Sequence, residues 1–170
     1  MRHLHIENVK ARAEFATEGG LEYRYVLEIT KIGAAKHPKT ACVVMQNPSY
    51  AGEAWADKSV QFMEKNVFLM GLPEFTGVER LIVVNQFARI QTNDFVGLAS
   101  EIGSKNNNAI EAAIKKSEII IIAWGSGNRF EARKEFVLNL LKRMSGKRLY
   151  KTKMHPSRGR YAGFIQPYRV

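Results

Sequence analysis

The 170 residues are enough for one domain with a sizeable core and too few for two ordinary ones. A 45% hydrophobic and 25% charged composition excludes wholesale disorder, and no apolar run reaches membrane-spanning length. Lys and Arg number 26 against 16 Asp and Glu, a formal charge of +10. Such an excess favours polyanionic partners through counterion release, with nucleic acid the first candidate.

The opening, Met1-Arg2-His3-Leu4-His5-Ile6-Glu7, has no apolar signal region, and Cys42 is the only cysteine. A lone thiol excludes an intrachain disulfide and a cysteine-cluster zinc site, and it fits a reducing, cytoplasmic setting. Next, Phe15 to Tyr25 reads as a hairpin with Gly19-Gly20 at its turn, the second strand continuing through Ile29. Residues 36–39 are polar, contain Pro38, and read as a loop.

From there the pattern changes. Residues 40–45 form a short apolar run that stops at Asn47-Pro48-Ser49. Residues 81–84 form a second that stops at Asn85, and 119–124 a third that stops at Gly125-Ser126-Gly127. These runs lack alternation, as expected of strands buried on both faces of a parallel sheet. A fourth strand is expected at 149–153, delivering His155-Pro156-Ser157. Helical spacing appears between the strands at 58–70, 107–116 and 130–144, with Asn107 or Asn108 as a candidate cap.

The expectation is therefore an α/β fold: an open, mainly parallel four-stranded central sheet flanked by helices, with an N-terminal β-hairpin. One domain spans 1–170, with 1–39 a hairpin and extension packed on the core. In open parallel sheets ligands bind beyond the carboxyl ends of the strands, where all four polar motifs fall. Each alone reads as an ordinary turn or loop; their coincidence is the signal. The basic residues also crowd the last thirty positions, around His155.

On these residues the chain resembles the uracil-DNA glycosylase superfamily over residues 40–165. That superfamily has a strand ending in Gly-x-Asp/Asn-Pro, a strand ending in Asn, and an apolar strand ending in Trp-Gly. Its last motif is a His-Pro-Ser loop followed by an aromatic and Gly-Phe. Here the matches are Gln46-Asn47-Pro48-Ser49, Asn85, Trp124-Gly125 and His155-Pro156-Ser157 with Tyr161-Ala162-Gly163-Phe164. The chain also looks like a bacterial and phage family sharing the Asn-Pro-Ser, Asn, Trp-Gly and His-Pro series, which brings no established activity.

The resemblance implies a uracil-DNA glycosylase-like fold and hydrolysis of the N-glycosidic bond of a base flipped out of DNA. Asn47 would position water, Asn85 would read the base edge, and His155 would donate to its carbonyl oxygen. Asn47 stands where the fastest branch has a carboxylate; an amide orients water but takes no proton, so a slow enzyme is expected. Met45 stands in place of the usual glycine. Ser49 replaces an aromatic that excludes 5-substituted pyrimidines, which points to a 5-substituted or mismatched pyrimidine.

Tyr50, Trp55 and Phe62 are candidates for stacking on the base, and Ser126, Ser157, Arg158 and Arg160 for gripping DNA. Asp57 is an extra polar group near the first motif, equally suited to a helix cap. His3, His5 and His37 have no metal-ligand spacing, so no metal or cofactor is expected. The expected partner is DNA, with no membrane, and the chain is expected to be a monomer. A non-catalytic nucleic-acid or nucleotide-binding domain is the alternative, and a hydrolase or transferase of modified nucleosides a third reading.

Overall fold

The computed structural model describes residues 2–160 and 162–170; Met1 and Tyr161, the aromatic of the last motif, lie outside the described residues. Strands β1 (Val9–Glu18) and β2 (Leu21–Lys31) form the hairpin. Gly19 and Gly20 both take positive φ, +57° and +78°, the backbone that a two-residue turn between twisted strands requires. After β3 (Lys39–Met45) the chain enters α1 (Lys58–Glu64), which runs on as a π-helical turn over Lys65–Leu69. Strand β4 (Val78–Asn85), α2 (Asn106–Lys116), β5 (Ile119–Ile122), α3 (Glu131–Arg143), β6 (Arg148–Thr152) and β7 (Ile165–Pro167) complete the chain.

All seven strands belong to one mixed sheet in the order β1-β2-β4-β3-β5-β6-β7. The pairs β4–β3, β3–β5 and β5–β6 are parallel; β1–β2, β2–β4 and β6–β7 are antiparallel and hold slightly more of the paired residues. This corrects the expectation of an open, mainly parallel four-stranded sheet flanked by helices. The hairpin is not an appendage: Leu27 to Thr30 pair with Arg80 to Val83, so β2 is an inner strand. That pairing joins segments some fifty residues apart, which local periodicity cannot reveal. Strand β7 is three residues long and includes Pro167, too short for a two-residue repeat to register.

The sheet separates two apolar layers. Val43, Met45, Val83 and Ile121 pack with Val60, Met63 and Val67 on the α1 side. Cys42, Val44, Ile82 and Ile120 pack with Ile110, Ile114, Val137 and Leu140 on the α2–α3 side. Adjacent residues thus serve opposite layers, which is why these strands read as unbroken apolar runs. Each such side chain contributes about 1.5–3 kcal/mol on burial. Burial pushes the Cys42 thiol up to about 12, leaving it an inert core residue.

Candidate active site

Because β3, β5 and β6 are parallel neighbours, their carboxyl ends emerge together. The segments that follow line a cavity of about 600 Å3. Gln46 to Tyr50 come from the end of β3, Trp124 to Asn128 from β5, and Met154, His155, Ser157 and Arg158 from β6. The start of α1 adds Asp57, Lys58 and Ser59, β2 adds Arg24, and Gln91 and Thr92 close one wall. Asp57 is the only carboxylate in this lining, among the described residues.

His155 begins the 3-10 turn Pro156–Arg158, and its side chain caps that turn. The Ser157 backbone N–H donates to Nδ1 at 3.2 Å, with the Ser157 hydroxyl 2.9 Å away. A backbone N–H can only donate, so Nδ1 accepts and the proton sits on Nε2. Nε2 has no partner among the described residues. Burial lowers the His155 pKa and the Arg158 charge adds to the fall, while Asp57 opposes it. The ring is therefore a neutral donor lining the cavity. Gly125 makes room for it: with φ +91°, an added Cβ there would lie 3.2 Å from His155 Cβ and 3.3 Å from its backbone nitrogen.

Asn47 is held more tightly than the sequence suggests. Its Nδ2 donates to Gln91 O at 2.7 Å and Pro48 O at 3.3 Å, while Oδ1 accepts from Gln46 Nε2 at 3.2 Å. One Oδ1 lone pair is left for a water. Gln46 Oε1 accepts from Asn128 Nδ2 at 3.2 Å, which also donates to Gln86 Oε1 at 2.7 Å, so an amide chain underlies the cavity. Ser49 Oγ donates to Asp57 Oδ2 at 2.7 Å, and Asp57 Oδ1 caps α1 by accepting from Val60 N–H at 2.8 Å. Asp57 is thus both cap and cavity wall.

Asn85 is 1% exposed and does not line the cavity. It lies beneath the floor, where its Oδ1 accepts from Arg24 Nη2 at 3.2 Å. Arg24, also 1% exposed, does line the cavity, and its Nη1 donates to Ala51 O at 2.8 Å. Burial brings the Arg24 guanidinium down to about 10, so it is still charged at neutral pH. Sequence reasoning missed Arg24; its only signal is a cation flanked by Tyr23 and Tyr25 in a strand. Gln91 and Asn128 were missed as well, carrying no motif of their own, and Gln46 stood in the first motif without a role.

Of the other candidates, Tyr50, Ser49, Ser126, Ser157 and Arg158 line the cavity, whereas Phe62 and Arg160 do not. Phe62 packs edge-on against Phe164, and Gly159 lies so close that an added Cβ would fall 2.2 Å from the ring. Trp55 sits under Arg2, whose guanidinium is 5.2 Å from the ring centre. Helix α2 starts at Asn106, earlier than Asn107 or Asn108 would set it, and the Lys105 cap makes no side-chain bond. Asn106 instead donates to Asn85 O and Gln86 O, both at 3.0 Å, and Asn107 Oδ1 accepts from Arg133 Nη1 at 2.8 Å.

His5 lies outside the cavity, packed on α1. Its Nδ1 bonds the fully buried Glu64 carboxylate, and its Nε2 donates to Gly52 O at 2.7 Å. The other Glu64 oxygen accepts from Ile6 N–H at 3.1 Å. Burial works against charge on this ring. The bonds to Glu64 and Gly52, with the Glu64 and Asp57 charges, outweigh it and raise the His5 pKa. Among the described residues no group of three His, Cys, Asp or Glu is placed to hold a metal, and no helix is long and apolar enough to cross a membrane.

Fold and site together define a mixed-sheet α/β protein with a polar cleft at the strand ends, walled by a neutral histidine, one carboxylate and a buried arginine. Nothing among curated proteins or solved structures matches the chain. Residues 24–158, most of the chain, match the family described as Protein of unknown function (DUF1643), and the protein belongs to that family. The match takes in Arg24, Asn47, Asp57, Asn85, Asn128 and His155.

Proposed function

We propose that this protein hydrolyses the N-glycosidic bond of a 5-substituted or mismatched pyrimidine flipped out of DNA. The carrying observation is His155, favoured neutral, its Nε2–H unpartnered and Asp57 the one carboxylate in the cavity lining among the described residues. In the reaction the C1′–N electron pair leaves with the base and a water oxygen bonds C1′. The water proton passes to Asp57, and the base departs as an anion hydrogen-bonded to His155 Nε2–H. Asn47 Oδ1 orients the water, and Asp57 supplies the negative charge towards the oxocarbenium-like sugar that Asn47 lacks. The likeness of the motif series to the uracil-DNA glycosylase superfamily supports this reading.

Charge supports DNA as the partner. Lys58 and Arg158 stand exposed at the cavity rim. A second cavity of about 350 Å3 shares Trp124, Gly125 and Ser126 with the first and is lined by Lys134, Lys151 and Lys153, with no carboxylate among the described residues. A phosphate backbone laid across both would meet cations throughout. A second reading, a nucleic-acid-binding domain without catalysis, is favoured by the Asn47 amide, whose hydrogens are already given to backbone carbonyls.

One assay separates the two. Single-stranded and duplex oligonucleotides carrying uracil, mismatched thymine, or hydroxymethylated or glucosylated cytosine are incubated with protein, and abasic sites are then cleaved with alkali. Strand breaks that vanish in Asn47→Ala, Asp57→Asn and His155→Ala support hydrolysis. Binding without breaks on every substrate supports the second reading, and neither binding nor breaks removes both.

A further inference from the structure

Arg24 presents a charge problem that the protein does not solve by itself. Its guanidinium is almost wholly buried, and no ion pair to Arg24 exists among the described residues. Asp57 reaches it only as a distant charge. Its Nε–H is buried with no acceptor, and so is the amide nitrogen of Asn85, the residue that holds Nη2. A buried cation without a counter-charge is a large desolvation penalty, tolerated in a folded protein where something else is gained. The contrast with the buried carboxylates is informative: Glu64 has His5 and Ile6 N–H, and Glu101 has Arg89. Arg24 has two neutral oxygens, a wall position in the cavity, and spare donors.

We propose that Arg24 is the cavity's anion receptor: the natural ligand brings a negative group to the floor, where the guanidinium binds it and Asn85 holds the guanidinium in place. The inference deepens the glycosidic-bond reading and rests on it for the identity of the anion. Two groups of a pyrimidine nucleotide share the required chemistry, the phosphate and the departing base once it carries the bond's electron pair. Guanidinium suits either, being permanently charged and able to give parallel N–H bonds to two oxygens. Asn85 acts here as a positioning residue, through Arg24.

Thermal unfolding of the full chain tests this without any need for catalysis. The probes are thymidine 5′-monophosphate, inorganic phosphate, uncharged thymidine, and 5-nitrouracil, a free base ionised at neutral pH. At about 100 times its Kd, a bound anion is expected to raise the melting temperature by roughly 5–10 °C, with thymidine giving no comparable shift. The shift should vanish in Arg24→Met, survive weakened in Arg24→Lys, and shrink in Asn85→Ala. Ligand-free Arg24→Met should melt no lower than wild type, because it removes an uncompensated buried charge.

A shift with 5-nitrouracil alone assigns the anion to the base, and one with the monophosphate alone assigns it to the phosphate. The proposal is overturned if no anion shifts the wild type, if thymidine shifts it as much as the anions do, or if the shift persists in Arg24→Met. It is equally overturned if ligand-free Arg24→Met is unfolded or strongly destabilised, since the arginine would then be structural. Anion shifts without strand breaks on any oligonucleotide would leave the receptor standing and remove the hydrolase.

Discussion

Two histidines near α1 are held in opposite states by opposite surroundings. His5 bonds a buried carboxylate on one nitrogen and a carbonyl on the other, so both nitrogens donate and the charged ring is favoured. His155 accepts on Nδ1 from a backbone N–H and is favoured neutral. Asp57 feels both and reverses neither pattern. The lesson is that partners, more than depth, decide what an imidazole does. Fully committed, His5 is a clamp joining the N-terminal segment to α1; half-committed, His155 keeps a donor for a ligand.

Substitution should separate the two cleanly. His155→Ala is expected to lower glycosidic cleavage by about 100- to 10,000-fold while leaving the melting temperature near wild type, as single-turnover rates and calorimetry would show. His5→Ala should do the reverse: stranding the Glu64 carboxylate is expected to destabilise the fold by about 3–5 kcal/mol in urea titration, with the double variant His5→Ala/Glu64→Leu recovering part of the loss. An equal loss of stability from both single variants would dissolve the contrast.

The pH dependences should also diverge. The His5 pKa is raised on folding, so its contribution to stability is complete below the unfolded value near about 6.5 and is lost as pH rises through the raised folded value. Stability referenced to His5→Ala should therefore shrink on the alkaline side. The His155 pKa is lowered, so its neutral donor persists below the pH at which an ordinary histidine protonates. The catalytic rate should hold its plateau there and fall only as pH drops through that lowered value. Gly125→Ala offers a finer probe, with a strain of about 1–2 kcal/mol from its positive φ and displacement of the His155 backbone. Its rate loss should exceed its stability loss. The smallest effect expected is at the rim, where Lys58→Gln and Arg158→Gln should each reduce the salt slope of DNA binding by about one without altering base preference.

Much of this was legible in the chain because it is local. The apolar runs ending at Met45, Val84 and Trp124 announce strands buried on both faces, the third strand itself stopping at Ile122, and Gly19-Gly20 announces its turn. The residues that follow β3, β5 and β6, namely Asn47, Trp124 and His155, do line one cavity. Asn85 does not, because β4 ends beneath the floor with Arg24 above its amide.

What sequence alone determined was a two-faced core, a basic charge balance, and polar groups delivered where strands stop. Those follow from side-chain order along a chain with fixed periodicities. Tertiary structure decided that the hairpin and the last short strand extend the sheet to seven, since pairing between distant segments leaves no local mark. It also decided which protonation state each histidine favours, and it buried the charge of Arg24 at the cavity with no ion-pair partner among the described residues. These depend on which groups meet in three dimensions: Arg24 and His155, from opposite ends of the chain, line one cavity.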